Sequence, residues 1–575
     1  MRRTVRPLLI AAALLSVVAA SCVGAEPAIP SDEPEGGAVA EGGGTADVTV
    51  HDAASEVPGV DSAAGDDGGQ DTGVGADGGP DATVEAGPEA GADALPTDSA
   101  APVEGGSDAT GDAPGDAPRD APGDAPGDAP DADGGGTTEA GAGVFLGAQS
   151  FGGLNNDQAA GVVFDSSGNA YVTGDIEQPT ALVGNVTLTA AGETPFLAKL
   201  DPNGNVLWAV APTLSTGTFA VAKGIAIKAN GHVVVGVSFE QTIVWGSTTF
   251  TAVGAFNAAL FEFDANGNVV GGARYGGSTG SVNTWSVAAL PDGGLAMAGN
   301  FSGTTIIGST TLTGNGDTDC LLLIVDSSYN VVYAAGWGGP LVDQNYSVIA
   351  DSANNVYVTG EFNGSPTVAG TQITSAGGED IYLASFTSTG TLRYVKSYGS
   401  AGNDSGWGIN LLPGGDVVFA GTLGGPVDFG GGPIGAASTA EAFVARFTSA
   451  TPTYVWAEPF GATGQGAWIN AYTLGVGPSG HIAVPMYFSG VVNFGVGPVA
   501  SIGGSDALLL DLDANGNALW NAHLGGPSSD QGLASAVDAN GNVVWGGFFQ
   551  ASATIATTTL TSAGMNDGFI ARSGP

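Results

Sequence analysis

The sequence predicts an all-β fold, a ring of seven four-stranded antiparallel sheets, on three observations. The first is a recurring turn. DPNGNVLW from Asp201 returns as DANGNVV from Asp264, DANGNALW from Asp513 and DANGNVVW from Asp538, and more loosely as DSSGNAYV from Asp165. The second is a fixed period. Aromatic–glycine pairs mark unit starts at Phe151-Gly152, Tyr275-Gly276, Trp337-Gly338, Tyr398-Gly399 and Phe460-Gly461, with adjacent glycines 61 or 62 residues apart and Gly152 to Gly276 spanning two steps. Leu524-Gly525 continues the series, and the unmarked second unit fits between Ala209 and Gly272, which makes seven. The third is an offset at the ends. The last unit stops at FIARSGP (569–575) without its GNVLW segment, while a spare strand, VFLGAQSFGG (144–153), precedes the first. A strand lent from the front to the last unit closes a ring and hides a sheet edge. Repeats of about sixty residues with four strands each are propeller blades.

The chain opens on MRRTVRPLLIAAALLSVVAASC, with Arg2, Arg3 and Arg6, an apolar run and small residues before Cys22. That is a secretory signal peptide, too short and wrongly flanked for a mature membrane span. Ala19-Ala20-Ser21-Cys22 resembles a bacterial lipobox, which implies lipidation of Cys22. Val23 beside it implies, by resemblance to Gram-negative lipoproteins, the outer membrane, on its surface or periplasmic side. A plain signal peptide with an incidental cysteine is the competing reading. Cys320 is the only other cysteine, so no internal disulfide is expected.

Residues 23–143 hold 28 acids and one base, Arg119, in a Gly/Ala/Pro/Asp-rich stretch ending in GDAPGDAPRDAPGDAPGDAPDADGGG (111–136). Such a segment buries too little apolar surface to offset its chain entropy and is expected to be disordered. As a flexible coil it spans roughly 60 Å root-mean-square, the reach of a tether. A net charge of −45 argues against nucleic acid and anionic lipid, which need clustered Lys and Arg.

Residues 144–575 carry the ring. In the first unit AAGVVFD (159–165) and AYVTGDI (170–176) form one hairpin, a longer loop follows, and FLAKLD (196–201) and VLWAVAP (206–212) form a second. Asn and Gly in the turns supply the positive φ that tight connections need. DQAAGVVFDSSGNAYVTG (157–174), TSAGGEDIYLASF (374–386) and SSDQGLASAVDANGNVVWGG (528–547) resemble the bacterial SBBP-type seven-bladed β-propeller repeat. The resemblance covers about 430 residues. It implies an exported surface protein and no particular reaction. LSTGTFAVAKG (214–224), in the second unit, departs most, lacking the loop Asp and carrying Lys223.

Three sets of aligned positions are candidates for function. Thr194, Asn257, Asp319, Asp380, Glu441, Asp506 and Asp567 precede the third strand of each unit. Asp157, Asp343, Asp404 and Asp530 lie between one unit and the next. Both sets belong to the same face of a propeller, where they either bind a cation or basic partner, or accept backbone N–H bonds within their own loops. The third set stands nine residues before the Asn169-type position: Ala160, Lys223, Trp285, Tyr346, Trp407, Tyr472 and Leu533, with Trp468 competing for the sixth place. Its rings either stack on a sugar or peptide or fill the gap between blades.

No histidine is placed as a base for Cys320 or a loop serine, and no zinc set is present. The DxNGN turns lack the downstream Glu of calcium loops. The sequence therefore points to a cell-envelope lipoprotein whose monomeric propeller binds a glycan, protein or cation. Its rivals are a propeller lyase or hydrolase using loop carboxylates, with calcium the one cofactor to consider, and a structural part of an envelope complex.

Overall fold

The computed structural model describes residues 143–177, 179–215, 217–437 and 440–575. Residues 1–142, and with them the leader, Cys22 and the linker, lie outside the described residues.

The fold is all-β. Five separate sheets of four antiparallel strands follow one another among the described residues. The first comprises Gln158–Phe164, Ala170–Ile176, Thr194–Leu200 and Val206–Val210, paired in that order. The second to fifth begin with Ala220–Ile227, Ser281–Ala289, Gln344–Ala350 and Ser405–Leu411 and repeat its order. A ten-stranded sheet holds two further sets, beginning with Ala462–Ala471 and Gln531–Val537. The link between those sets is short, Leu524 with Ile555 and Gly525 with Thr554. The outer strand of the final set is the N-terminal Val144–Phe151, antiparallel to the chain's last strand from Val144↔Gly574 to Phe151↔Gly568. First strands of successive sets lie side by side, and the final set packs back on the first. Ala159 and Val172 share a core cluster with Ala534, Val544 and Ile570. These are sheets of a propeller.

Each third strand is buried on both faces, so its sequence runs apolar without alternating. In Asp319–Val325, Cys320, Leu322 and Ile324 pack toward the fourth sheet, while Leu321, Leu323 and Val325 pack toward the second. Cys320 is fully buried, and burial pushes its thiol pKa well up. The thiol is held in its inert form.

The turns follow local chemistry. In Asp201–Asn205 one carboxylate oxygen accepts the backbone N–H groups of Asn203 at 2.8 Å and Asn205 at 2.9 Å, and the other accepts the Asn205 amide at 2.8 Å. Gly204 takes φ 88°, which a side chain resists. Asp264–Asn268 and Asp513–Asn517 repeat the pattern.

Two expectations need correction. The aromatic–glycine pairs do not start units; Tyr275, Trp337, Tyr398 and Phe460 end fourth strands. The loop between second and third strands is itself a hairpin, as in Thr180–Val183 with Val186–Thr189 and Thr242–Trp245 with Thr248–Thr251. Its alternation of threonine with aliphatics around a two-residue turn is a hairpin signal.

The N-terminal strand contributes a seven-pair ladder. Deleting residues 1–151 exposes its partner edge, and the chain is expected to aggregate or melt more than 10 °C lower in scanning calorimetry, on the order of the several kcal/mol that such a ladder contributes. A truncated chain that melts at the full-length temperature would show the strand to be dispensable.

Candidate functional site

The site begins with a defect in the first strands. Each ladder skips one residue: Ala160, Lys223, Trp285, Tyr346, Trp407 and Leu533 fall at register shifts against their second strands. A bulge inserts one extra residue and re-aims its side chain. In the sixth set the first strand breaks instead between Ala471 and Gly475, and Tyr472 in the break donates its N–H to the Pro485 carbonyl at 3.2 Å. Opposite five bulges the second strand has glycine, Gly174, Gly299, Gly360, Gly421 and Gly547. A Cβ at any of these runs into the first-strand carbonyl of Gln158, Asn283, Gln344, Ser405 or Gln531.

The bulges bring the third candidate set together. The Lys223 ammonium lies 3.8 Å from the Trp285 ring centre. Trp285 meets Tyr346 edge-on at 5.3 Å, Tyr346 stacks on Trp407 at 3.9 Å, and Trp407 reaches Tyr472 at 5.0 Å. A side chain on one face of a sheet reaches only the neighbour on that side. Tyr346 and Trp407 each touch the equivalent ring on both sides, so the row runs along the inner edges of the sheets. Tyr487 extends it, 5.5 Å from Tyr472 and 5.0 Å from Trp468. Tyr346 is buried, whereas Trp285, Trp407 and Tyr472 are half-buried. Ala160 and Leu533 occupy the same bulge without a ring.

Beside the row runs a polar belt that the sequence did not announce. Asn283 donates to Asn300 at 3.1 Å and Asn300 to Gln344 at 3.0 Å. Ser405 and Tyr346 each donate a hydroxyl to Glu361 at 2.6 Å. Thr422 donates to Asn470 at 3.1 Å, and Asn470 to the Tyr487 hydroxyl at 3.0 Å. In the first sheet Asp175 accepts the Ala222 N–H of the second at 2.8 Å and the Gln158 amide at 3.2 Å. Half of these bonds join one sheet to the next, which satisfies buried polar groups and couples the sheets. Desolvation pushes the carboxyls of Asp175 and Glu361 up to about 7.

The loop carboxylates meet in pairs. A Cβ on Gly152 would lie 2.9 Å from Asp157 and 2.7 Å from Asp567, and one on Gly338 would strike Asp319 and lie 2.9 Å from Asp343. Asp157 accepts the N–H groups of Gly153 at 2.8 Å and Glu177 at 3.1 Å, and Asp343 those of Gly339 at 2.7 Å and Asn363 at 2.8 Å. Asp404 binds Ser400 and Gly424, and Asp530 accepts the Gln550 N–H. Asp319, Asp380, Asp506 and Asp567 each accept the N–H of the residue four earlier, as does Asn257, and Glu441 that of Ala436. Thr194 instead donates its hydroxyl to the Gly192 carbonyl. Burial pushes the carboxyls of Asp157 and Asp530 up to about 7 and those of Asp343 and Asp380 to about 6.

The three described histidines each face a carboxylate: His232 with Glu262 at 2.6 Å, His481 with Asp511 at 2.9 Å and His523 with Asp506 at 2.6 Å. Glu262 also binds Lys228 and the Tyr329 hydroxyl. Although burial opposes it, these three partners hold its carboxyl down at about 2. No group of three His, Cys, Asp or Glu residues is arranged to hold a metal ion among the described residues.

Residues 146–176 match the SBBP beta-propeller repeat. No curated protein sequence matches the chain. Among solved structures, a Xanthomonas campestris gluconolactonase aligns with 63% of this chain and 94% of its own at 10% identity and a TM-score of 0.28. A Penicillium chrysogenum alpha-L-arabinanase complexed with arabinobiose aligns with 61% and 92% at 12% identity and a TM-score of 0.30. A DUF4221 family member of Bacteroides vulgatus aligns with 75% and 97% at 8% identity and a TM-score of 0.29. Likenesses this weak carry no argument about function.

Proposed function

We propose that the protein is a cell-envelope lipoprotein, anchored through Cys22 and tethered by residues 23–143, whose seven-bladed propeller binds a glycan at its inner edge. The observation that carries this reading is the unbroken row Trp285, Tyr346, Trp407 and Tyr472, with hydrogen-bonding side chains directly beside it. Sugars present C–H faces to aromatic rings and hydroxyls to polar side chains, and recognition sites combine apolar walls with a few fixed polar groups.

A lyase or hydrolase is the second reading, favoured by the raised pKa values of Asp175 and Glu361. Against it, both carboxylates already accept two hydrogen bonds from neighbouring strands. The test is a glycan array probed with the full chain. Selective retention of one glycan class is the expected result; uniform failure across the array, with basic proteins retained instead, would overturn the glycan assignment.

A further inference from the structure

The nine tryptophans of the chain divide by what their indole N–H meets. Trp208 and Trp456 donate to the carbonyls of Ala265 and Ala514 at 3.2 and 3.1 Å. Trp245, Trp337, Trp520 and Trp545 are buried in the sheets. Trp285, Trp407 and Trp468 are half-buried, and their N–H groups make no hydrogen bond among the described residues. All three belong to the aromatic row. Trp468 reaches it through a wider break in its strand, where the ladder pairs Thr463 with Val491 and next Trp468 with Ser489, so that four residues face one.

The other polar groups of the row are engaged. Tyr346 donates to Glu361, Tyr487 accepts from Asn470, and Tyr472 has a partner as well. Lys223 lies over Trp285, and its charge acts on Asp175 and Glu193. What the row leaves open is three donors, each on the edge of an aromatic ring; the indole N–H donates and cannot accept.

Building on the glycan reading, we propose that the ligand is an oligosaccharide of N-acetylhexosamine, whose acetamido carbonyls accept the indole N–H bonds while their methyl groups lie on the rings. A donor at the edge of an apolar face matches a group that carries its acceptor oxygen next to a methyl. A hydroxyl in place of the acetamido group is a weaker acceptor and brings no methyl to cover the ring. A uronate would set a second carboxyl near that of Glu361, which opposes it.

Calorimetric titration of the full chain with triacetylchitotriose, cellotriose and fully deacetylated chitotriose tests the assignment. The expected result is saturable binding of triacetylchitotriose, with the other two weaker by about tenfold or more. Trp407→Phe and Trp468→Phe keep a ring and remove the donor, and each should weaken triacetylchitotriose about three- to tenfold, the size of one hydrogen bond. Trp208→Phe, which loses a donor outside the row, should leave the affinity unchanged. The melting temperature of each variant identifies any that fails to fold. Cellotriose or deacetylated chitotriose bound as tightly as triacetylchitotriose would overturn the acetamide assignment and leave a sugar at the inner edge. Unchanged affinity in folded Trp407→Phe and Trp468→Phe would also overturn it. A chain that retains another glycan class on the array and none of these three sugars contradicts this assignment alone, whereas one that retains no glycan contradicts the glycan reading with it.

Discussion

Replacing Gly360 with alanine is expected to destabilise the protein by about 3 kcal/mol or more, at the upper end of what overpacking costs. The added Cβ meets the backbone carbonyl of Gln344 and the Asn345 Cα, and no rotamer relieves a clash with backbone. Room can come only from closing the bulge at Tyr346, and that slides the first strand by one residue. The substitution thus links fold to site. It should cost stability and also move Tyr346 out of its stack with Trp407. Gly414, which has nothing within 4 Å of a Cβ, is the matched control, and its alanine variant should stay within about 0.5 kcal/mol of the parent in denaturant unfolding. Equal stability of the two variants would mean that the bulge is not rigid.

The second large effect is a fall in stability as pH rises from about 4 to about 7. The carboxyls of Asp157, Asp343, Asp380 and Asp530 have folded pKa values of about 6 to 7, all above their unfolded values. Over that interval the folded chain holds protons that the unfolded chain has released. Stability therefore declines with rising pH and levels off above about 7. Below about 4 both states are protonated, and the contribution is fully present. For Asp157 the shift corresponds to at most about 4 kcal/mol, at 1.36 kcal/mol per unit. Asp201, Asp264 and Asp326 act in the opposite sense. Hydrogen bonds from the side chains of Asn205, Asn268 and Asn330 lower their pKa, so their contribution is lost as pH falls through those values. Thermal stability should peak near pH 4 to 5. Asp157→Asn with Asp530→Asn should flatten the decline toward pH 7, because the amide keeps one acceptor oxygen and releases no proton. A melting temperature that climbs from pH 5 to pH 8 would contradict the paired-carboxylate account.

What the sequence made legible is what depends on neighbours in the chain. The Asp201–Asn205 turn is written in five consecutive residues, each bond of which is local. The N-terminal closing strand was readable because the last unit visibly lacks one. The aromatic row was readable as a position, nine residues before each turn, although not as a bulge. The glycine facing it, Gly174 in VTGDI and Gly360 in VTGEF, was the available signal, since glycine inside a strand marks a bulge or close backbone approach.

The rest depends on which residues of adjacent sheets meet. Asn300 finds Gln344, Thr422 finds Asn470, and His232 finds Glu262 only once the register between strands is set. Tyr487 escaped notice because it sits on a second strand, outside the aligned set. The loop carboxylates were identified by position, but their pairing across Gly152 and Gly338 came from the way each unit's third strand faces the next unit's first loop.

The most direct measurement is a comparison of the full chain with its Trp285→Ala, Tyr346→Ala, Trp407→Ala triple variant, in glycan binding and in melting temperature. If the row recognises a ligand, binding is lost while the variant still melts as a cooperative unit close to the parent. Binding retained in a variant that melts far lower would make these rings packing between blades, and would move the recognition surface away from the inner edge.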